Sequence, residues 1–336
     1  MEAQAPIKEP VRPYRRFALA GLAALLIGGA AGWTAGRFYR HARQGQRVVE
    51  TRGSGYRFVS PLLECEMSGS DLMELRVFKR DIARVVSEEI GRRHIKLASV
   101  YFRDLNNGPW VGINHDEKFA PASLLKVPLM MSYLKWAESA PGVLRRPLCF
   151  QRRAELAEQE FQPSRPLLPG RCYSVDELIE HMILDSDNDA RNLLYANLPH
   201  ERAEASYKDL GLQVPSASGD SMTVQEYASF FRILYNASYL SRAMSEKALN
   251  LLAKAEFRTG LRGGLPRDIP LAHKFGDRTV GGVKQLHDCG IAYYPSHPYL
   301  LCVMSRGADY SDMDDVISKV SRVVYEQAAR QFPRIP

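Results

Sequence analysis

The chain has no G-x-S-x-G elbow, no H-E-x-x-H pair, no P-loop and no dinucleotide fingerprint. Those absences set aside the α/β-hydrolase nucleophile, the helical zinc proteases and the phosphate-cradling folds. Its eight histidines are scattered. The densest ligand-type run, His287-Asp288-Cys289, alternates along one strand, so its side chains face opposite ways. No metal and no cofactor are expected. A basic surface is missing too, despite a net charge of +7: residues 1–48 hold eight of the 45 Lys and Arg and two of the 38 acids, leaving 37 basic against 36 acidic residues for 49–336. A nearly neutral domain does not track phosphates, so no nucleic-acid partner is expected. Cysteine is sparse, at five, which leaves one odd thiol. Cys149 and Cys172 flank a Pro-rich excursion, and Cys289 and Cys302 lie almost symmetrically about residues 295–298. Either pair reads equally as a disulfide of an oxidising compartment or as two reduced core thiols.

Long apolar runs are also scarce, with one exception. Residues 17–36 carry no charge over 20 positions, enough to span a bilayer. The run exceeds a signal-peptide core of roughly 7–15 residues and reads as an uncleaved anchor; a cleavable signal ending near Gly29-Ala30-Ala31 is the alternative. Four Lys or Arg precede it and four follow closely, so charge does not orient it. The domain is placed outside the cytoplasm on functional grounds alone. Gly28, Gly32 and Gly36 form a small-residue stripe compatible with a weak transmembrane-helix dimer. The organisation that follows is a basic tail (1–16), an anchor (17–36), a polar, Gly-containing stalk (37–64) and one large domain (65–336).

Within that domain, 71–92 has helical periodicity, 95–102 and 110–113 read as strands, and a helix begins near Ser123. A helical stretch runs over about 139–260. Two capping-box spellings, Ser174 to Glu177 and Thr223 to Glu226, open apolar periodic runs. Strands resume at 269–275, 285–294 and 299–305, and a last helix starts at Ser311. Helix, two strands, helical insertion, three strands and helix make an α+β fold with an inserted all-helical lobe.

Three short motifs fall at the junctions of that pattern. Ser123 and Lys126 stand one helical turn apart, so the amine can serve as base for the hydroxyl if burial or a nearby cation lowers its pKa. Ser132 and Lys135 repeat the spacing, but that serine lies mid-helix, without free amides. Ser186-Asp187-Asn188 sits on a tight connection between helices, offering a hydroxyl to relay a proton, a carboxylate to hold the loop and an amide to grip substrate. Lys274-Phe275-Gly276, followed by Asp277, reads as part of an inner strand. There the glycine allows close backbone approach and the lysine offers a cation.

In this order the motifs resemble the penicillin-recognising serine enzymes, the class A β-lactamases and D,D-peptidases, and the resemblance extends over roughly residues 66–334. It implies a β-lactamase/transpeptidase-like α+β fold: a five-stranded antiparallel sheet flanked by terminal helices, plus the inserted helical lobe, preceded here by the transmembrane helix. Ser123 would be the acylated nucleophile, Lys126 its base and Ser186 the proton relay. Asn188, Lys274, Gly276 and Asp277 would bind substrate, with the amides of Ser123 and Asp277 as oxyanion hole and Asp187 as support. The implied substrate is a β-lactam or a peptidoglycan stem ending in D-Ala-D-Ala.

Two features depart from the family pattern. Phe275 replaces a threonine whose hydroxyl would meet a substrate carboxylate. The loop that would carry a deacylating glutamate is nearly absent between residues 211 and 220. Glu246 and Asn250 imitate that glutamate's spelling, but in the wrong place, inside a strong helical run, and Glu201 and Glu204 merely open a helix. The expectation is an extracytoplasmic acyl-serine hydrolase that deacylates slowly. The alternatives are a D,D-carboxypeptidase or a catalytically silent envelope scaffold.

Overall fold

The computed structural model describes residues 46–52, 57–59, 62–69, 73–92, 94–106, 110–151, 160–211 and 221–333. The expected anchor at 17–36 lies outside these residues, as does the short loop at 212–220. No helix among the described residues is long and apolar enough to cross a membrane. Two compact units divide the chain, 1–47 with 68–71 and 48–67 with 72–336; the second carries the fold and the site.

Two strands, β1 (Gln46–Arg52) and β2 (Leu62–Gly69), pair with each other. Helix α1 (Met73–Gly91) leads into β3 (Ile95–Asp104) and β4 (Trp110–Ile113). After the helical lobe come β9 (Leu271–Val280), β10 (Val283–Ala292), β11 (Tyr299–Gly307) and the terminal helix α8 (Tyr310–Gln331). The five long strands form one antiparallel sheet in the order β4-β3-β11-β10-β9. Alternation in β11 explains why both its faces are apolar. Leu301 and Val303 join Phe78, Ile82, Val316 and Val320 under α1 and α8, whereas Leu300, Cys302 and Met304 join the core of the helical lobe. The sheet is therefore a wall between two cores.

The lobe is built around α2 (Lys126–Ser139), whose Val127, Leu129, Met130, Met131 and Leu134 are all buried. A helix apolar all round belongs in the middle of a bundle. Around it lie α3 (Val175–Leu184), α4 (Asn188–Asn197), α5 (His200–Asp209), α6 (Val224–Tyr235) and α7 (Arg242–Leu252). Both expected capping boxes form: Ser174 with Glu177 starts α3, and Thr223 with Glu226 starts α6. Ser132 back-bonds to the Pro128 carbonyl at 2.9 Å in mid-helix, away from any helix end.

Strand register settles both cysteine pairs left open by the sequence. Cys289 faces Cys302 across β10 and β11 and Cys149 faces Cys172 across β6 (Pro147–Cys149) and β7 (Cys172–Ser174); both pairs are disulfides. A further short strand pair joins β5 (Lys118–Phe119) to β8 (Met222–Thr223).

Two sequence expectations need correction. Lys274, Phe275 and Gly276 lie on β9, which is an edge strand of the sheet, not an inner one. Only an edge keeps a row of backbone N–H and C=O groups free to pair with something else. The segment read as a stalk also reaches into the domain. Phe58 and Val59 are buried in the lobe core, and the amides of Arg57, Phe58 and Val59 all donate to the Glu246 carboxylate at 2.8–3.1 Å. Glu246 is thus a clamp for the chain entering the domain. Glu246→Ala leaves three amides unpaired and should lower the unfolding free energy by about 2 kcal/mol. Urea melts should show the loss, and proteolysis near residues 57–59 should quicken.

Candidate active site

The turn that carries Ser123 is held from both sides of one residue. Ala120 donates its N–H to the Gln285 side-chain oxygen at 3.1 Å, and its carbonyl accepts from His287 Nε2 at 3.0 Å. Gln285 and His287 are two apart on β10, so they share a face. The Ser305 amide donates to His287 Nδ1 at 3.3 Å, which fixes the neutral Nε2–H tautomer. Beyond Ala120 the chain folds into a tight 3-10 turn, Ala122–Leu125, that carries Ser123. Ala122 has φ of 52°, a left-handed backbone that a non-glycine residue adopts only under constraint. The α-helix proper begins at Lys126, directly after this turn.

Lys126 is buried and points at the connection between α3 and α4. Its amine donates to the Ser186 carbonyl at 2.5 Å and to Ser186 Oγ at 3.1 Å. Lys274, equally buried, donates to the same Oγ at 2.8 Å and to the Phe275 carbonyl at 3.1 Å. Ser186 is held at φ of 56°, which lets a fully buried hydroxyl sit between two amines. Asp187 fixes this connection by capping α4 through the Ala190 amide at 2.9 Å and by accepting the Leu167 amide at 3.3 Å. Asn188 is the first residue of α4 and is half-buried.

Burial holds the Lys126 amine well below its ordinary pKa, and the neighbouring Lys274 charge adds to the effect; Asp277 and Asp187 oppose it. Lys274 is lowered to about 7, again chiefly by burial, against Asp277 and Asp288. A neutral Lys126 has two N–H donors, and Ser186 takes both. Its lone pair is then left to accept a proton.

On the other wall, β9 passes the nucleophile turn at contact distance. A Cβ placed on Gly276 would come within 3.1 Å of the Ser123 and Leu124 nitrogens. A side chain here would crowd the strand edge against the amide that the resemblance assigns to an oxyanion hole, which glycine avoids. Phe275 turns away from the lobe into an aromatic cluster with Phe257, Phe161 and Tyr310, and its ring lies 4.3 Å from the Lys274 amine. Asp277 is half-buried. Burial raises its carboxyl, while Lys274 and Lys126 pull it down.

The structure thus brings Ser123, Lys126, Ser186, Lys274 and Gly276 to one cleft, with Asp187 supporting and Asp277 at its edge. A family model described as the Beta-lactamase enzyme family, Beta-lactamase2, matches residues 78–328. The chain belongs to this family. No curated protein sequence matches it. Among solved structures it is similar to PBP-A, at 23% identity over 76% of this chain and 97% of that one, with a TM-score of 0.63. A β-lactamase from Xanthomonas campestris is 21% identical over 75% and 98% of the two chains, with a TM-score of 0.62. The class A β-lactamase of Mycobacterium abscessus is 20% identical over 74% and 98%, with a TM-score of 0.61.

This Beta-lactamase2 member also builds its site with residues outside the three motifs, among them His287 and Asp288, which the sequence offered only as a poor metal site. Gln285 and His287 hold the nucleophile turn from 165 and 167 residues away. Asp288, buried behind Phe275, accepts from the His273 ring at 2.9 Å and from the Leu261 amide at 2.9 Å. Of the glutamates weighed for deacylation, Glu246 is taken up by residues 57–59, and Glu201 and Glu204 are exposed on α5.

The His287 clamp makes a pH prediction. Burial lowers His287 from 6.5 to about 4 in the folded protein. The unfolded chain therefore takes up the proton first, and folded stability is lost progressively as pH falls from 6.5 toward 4. At about 1.4 kcal/mol per pKa unit the loss approaches 3 kcal/mol. Denaturant melts from pH 7 to 4 should fall more steeply for the wild type than for His287→Gln, which has nothing to titrate there.

Proposed function

We propose that this family member is an acyl-serine hydrolase, held outside the cytoplasm by the apolar segment at 17–36, that opens an amide of the β-lactam or D-Ala-D-Ala type. The observation that carries the reading is the Ser186 hydroxyl bonded by two buried lysines beside the turn that bears Ser123. In the step proposed, Ser123 Oγ attacks the amide carbonyl and Lys126 Nζ takes its proton. Amides of Ser123 and Asp277 receive the developing oxyanion. As the carbon–nitrogen bond breaks, the leaving nitrogen takes a proton from Ser186 Oγ, which is reprotonated from the lysines. An ester on Ser123 remains, and water must later cleave it to release the acid and restore the hydroxyl.

That last step is the slow one in this reading. Glu246 is occupied as a clamp, and the short segment at 212–220 has no glutamate. Support for acylation comes from PBP-A, a point variant of which is described as an acyl-enzyme complex with penicillin G.

Intact mass of the full-length chain after an hour with millimolar benzylpenicillin tests the reading. A lasting adduct is expected on the wild type and none on Ser123→Ala. Rapid drug loss without an adduct would instead mean an efficient deacylating base. The acylation rate should be bell-shaped in pH. It rises as the lysine pair yields the proton that frees Lys126, and falls as pH climbs through about 7, where Lys274 loses its charge. A rate still rising at pH 9 would remove the role given to charged Lys274.

A further inference from the structure

The β9 edge dictates what lies beside the scissile bond. A substrate laid along it next to Gly276 meets Phe275 on one side and Asp277 on the other. Building on the acyl-serine reading, we propose that the group of the substrate facing Asp277 is uncharged or cationic, and that the site discriminates against a carboxylate there.

Three observations carry this. First, the nearest amine is already engaged: Lys274 donates to Ser186 Oγ and to the Phe275 carbonyl, so little of its donor capacity is left for a substrate anion. Second, Asp277 adds a negative charge at that place. Among the described residues it makes no salt bridge, Lys274 and Lys126 acting on it only through space, and its carboxylate accepts backbone amides, that of Glu160 among them. Asp288, on the neighbouring strand opposite Phe275, is tied to His273. Of the other cations on the two strands here, Arg278 alternates to the opposite face of β9 and is exposed, and Lys284 rests over the Tyr310 ring at 4.9 Å.

Third, the end of the cleft is covered by apolar rings. The segment from residue 160 onward returns to the Cys149–Cys172 disulfide, and its Phe161 packs edge-on against Phe275 and Phe257, with ring centroids 5.3 Å apart in each case. The same segment is tied to the other lobe through Arg165 on Asp185, at 2.8 Å, and through Leu167 on Asp187. An anion there would lose water against rings and face a carboxylate. A neutral or positive group keeps the rings as packing partners and Asp277 as an attractive one.

The test compares benzylpenicillin, an acid, with its methyl ester, which differs by one methyl group and the loss of that charge. Intact mass follows acylation of Ser123 on the full-length chain in mild detergent, with a fluorophosphonate as a charge-independent probe of the serine. The wild type should acylate about tenfold or more faster with the ester. Asp277→Asn, which keeps an acceptor for the Glu160 amide, should erase most of that preference by speeding the acid, and Asp277→Ser should do the same. Equal rates with acid and ester, a preference for the acid, or an ester preference untouched in both variants would overturn the inference. If both variants misfold by circular dichroism, the wild-type ratio decides alone. Labelling by the fluorophosphonate with the wrong charge preference sinks only this inference. Failure of every probe on Ser123 sinks the acyl-serine reading and the inference together.

Discussion

One serine hydroxyl bonded to two buried lysines is the arrangement on which the rest of the structure depends. Both amines are buried, and the Lys274 charge adds to the desolvation of Lys126. Such a pair persists only where the surrounding fold leaves it no alternative. Its members come from three places: the start of α2, the connection between α3 and α4, and the edge strand β9. Asp187 and Asp277 supply the counter-charge. Of the five non-glycine residues with positive φ among the described residues, two, Ala122 and Ser186, sit at this junction, where the packing of both cores can balance their local strain.

The sheet accounts for how the pair is held. A wall with an apolar core on each face cannot shift on one side without opening a void on the other. Its β9 edge is therefore a rigid rail, and Gly276 fixes the distance between that rail and the nucleophile turn. Exposed edges invite pairing with other chains. Here the turn that bears Ser123 packs against Gly276 and the Phe161 ring against Phe275.

Much of this was legible in the sequence because it depends on local chemistry. Capping boxes at Ser174 and Thr223 work within one turn of chain, and they formed as written. The strand and helix order followed from periodicity, and with it the inserted lobe, whereas the single five-stranded antiparallel sheet was what the family resemblance implied. What stayed hidden was set by distant pairing. Nothing near Ala120 announces that Gln285 and His287 hold it. Whether β9 was inner or edge depended on the order of strands, which periodicity does not encode. Glu246 shows the opposite failure: its spelling imitated a catalytic loop, while its carboxylate caps three amides of the incoming chain. The cysteines were open until the strand register placed each facing its partner.

Phe275 joins the two halves of the argument. In place of a hydroxyl it puts a ring against the Lys274 amine, at 4.3 Å, and draws Phe257 and Phe161 in behind it. The aromatic face returns part of the cation's lost hydration, but the cluster removes water that would otherwise keep Lys274 fully charged. A lysine brought to about 7 exchanges protons readily at neutral pH, which suits a relay through Ser186 better than a permanent anchor for a substrate anion. The substitution that weakens one role thus strengthens the other, and Asp277, two positions on, carries the same bias into the choice of substrate.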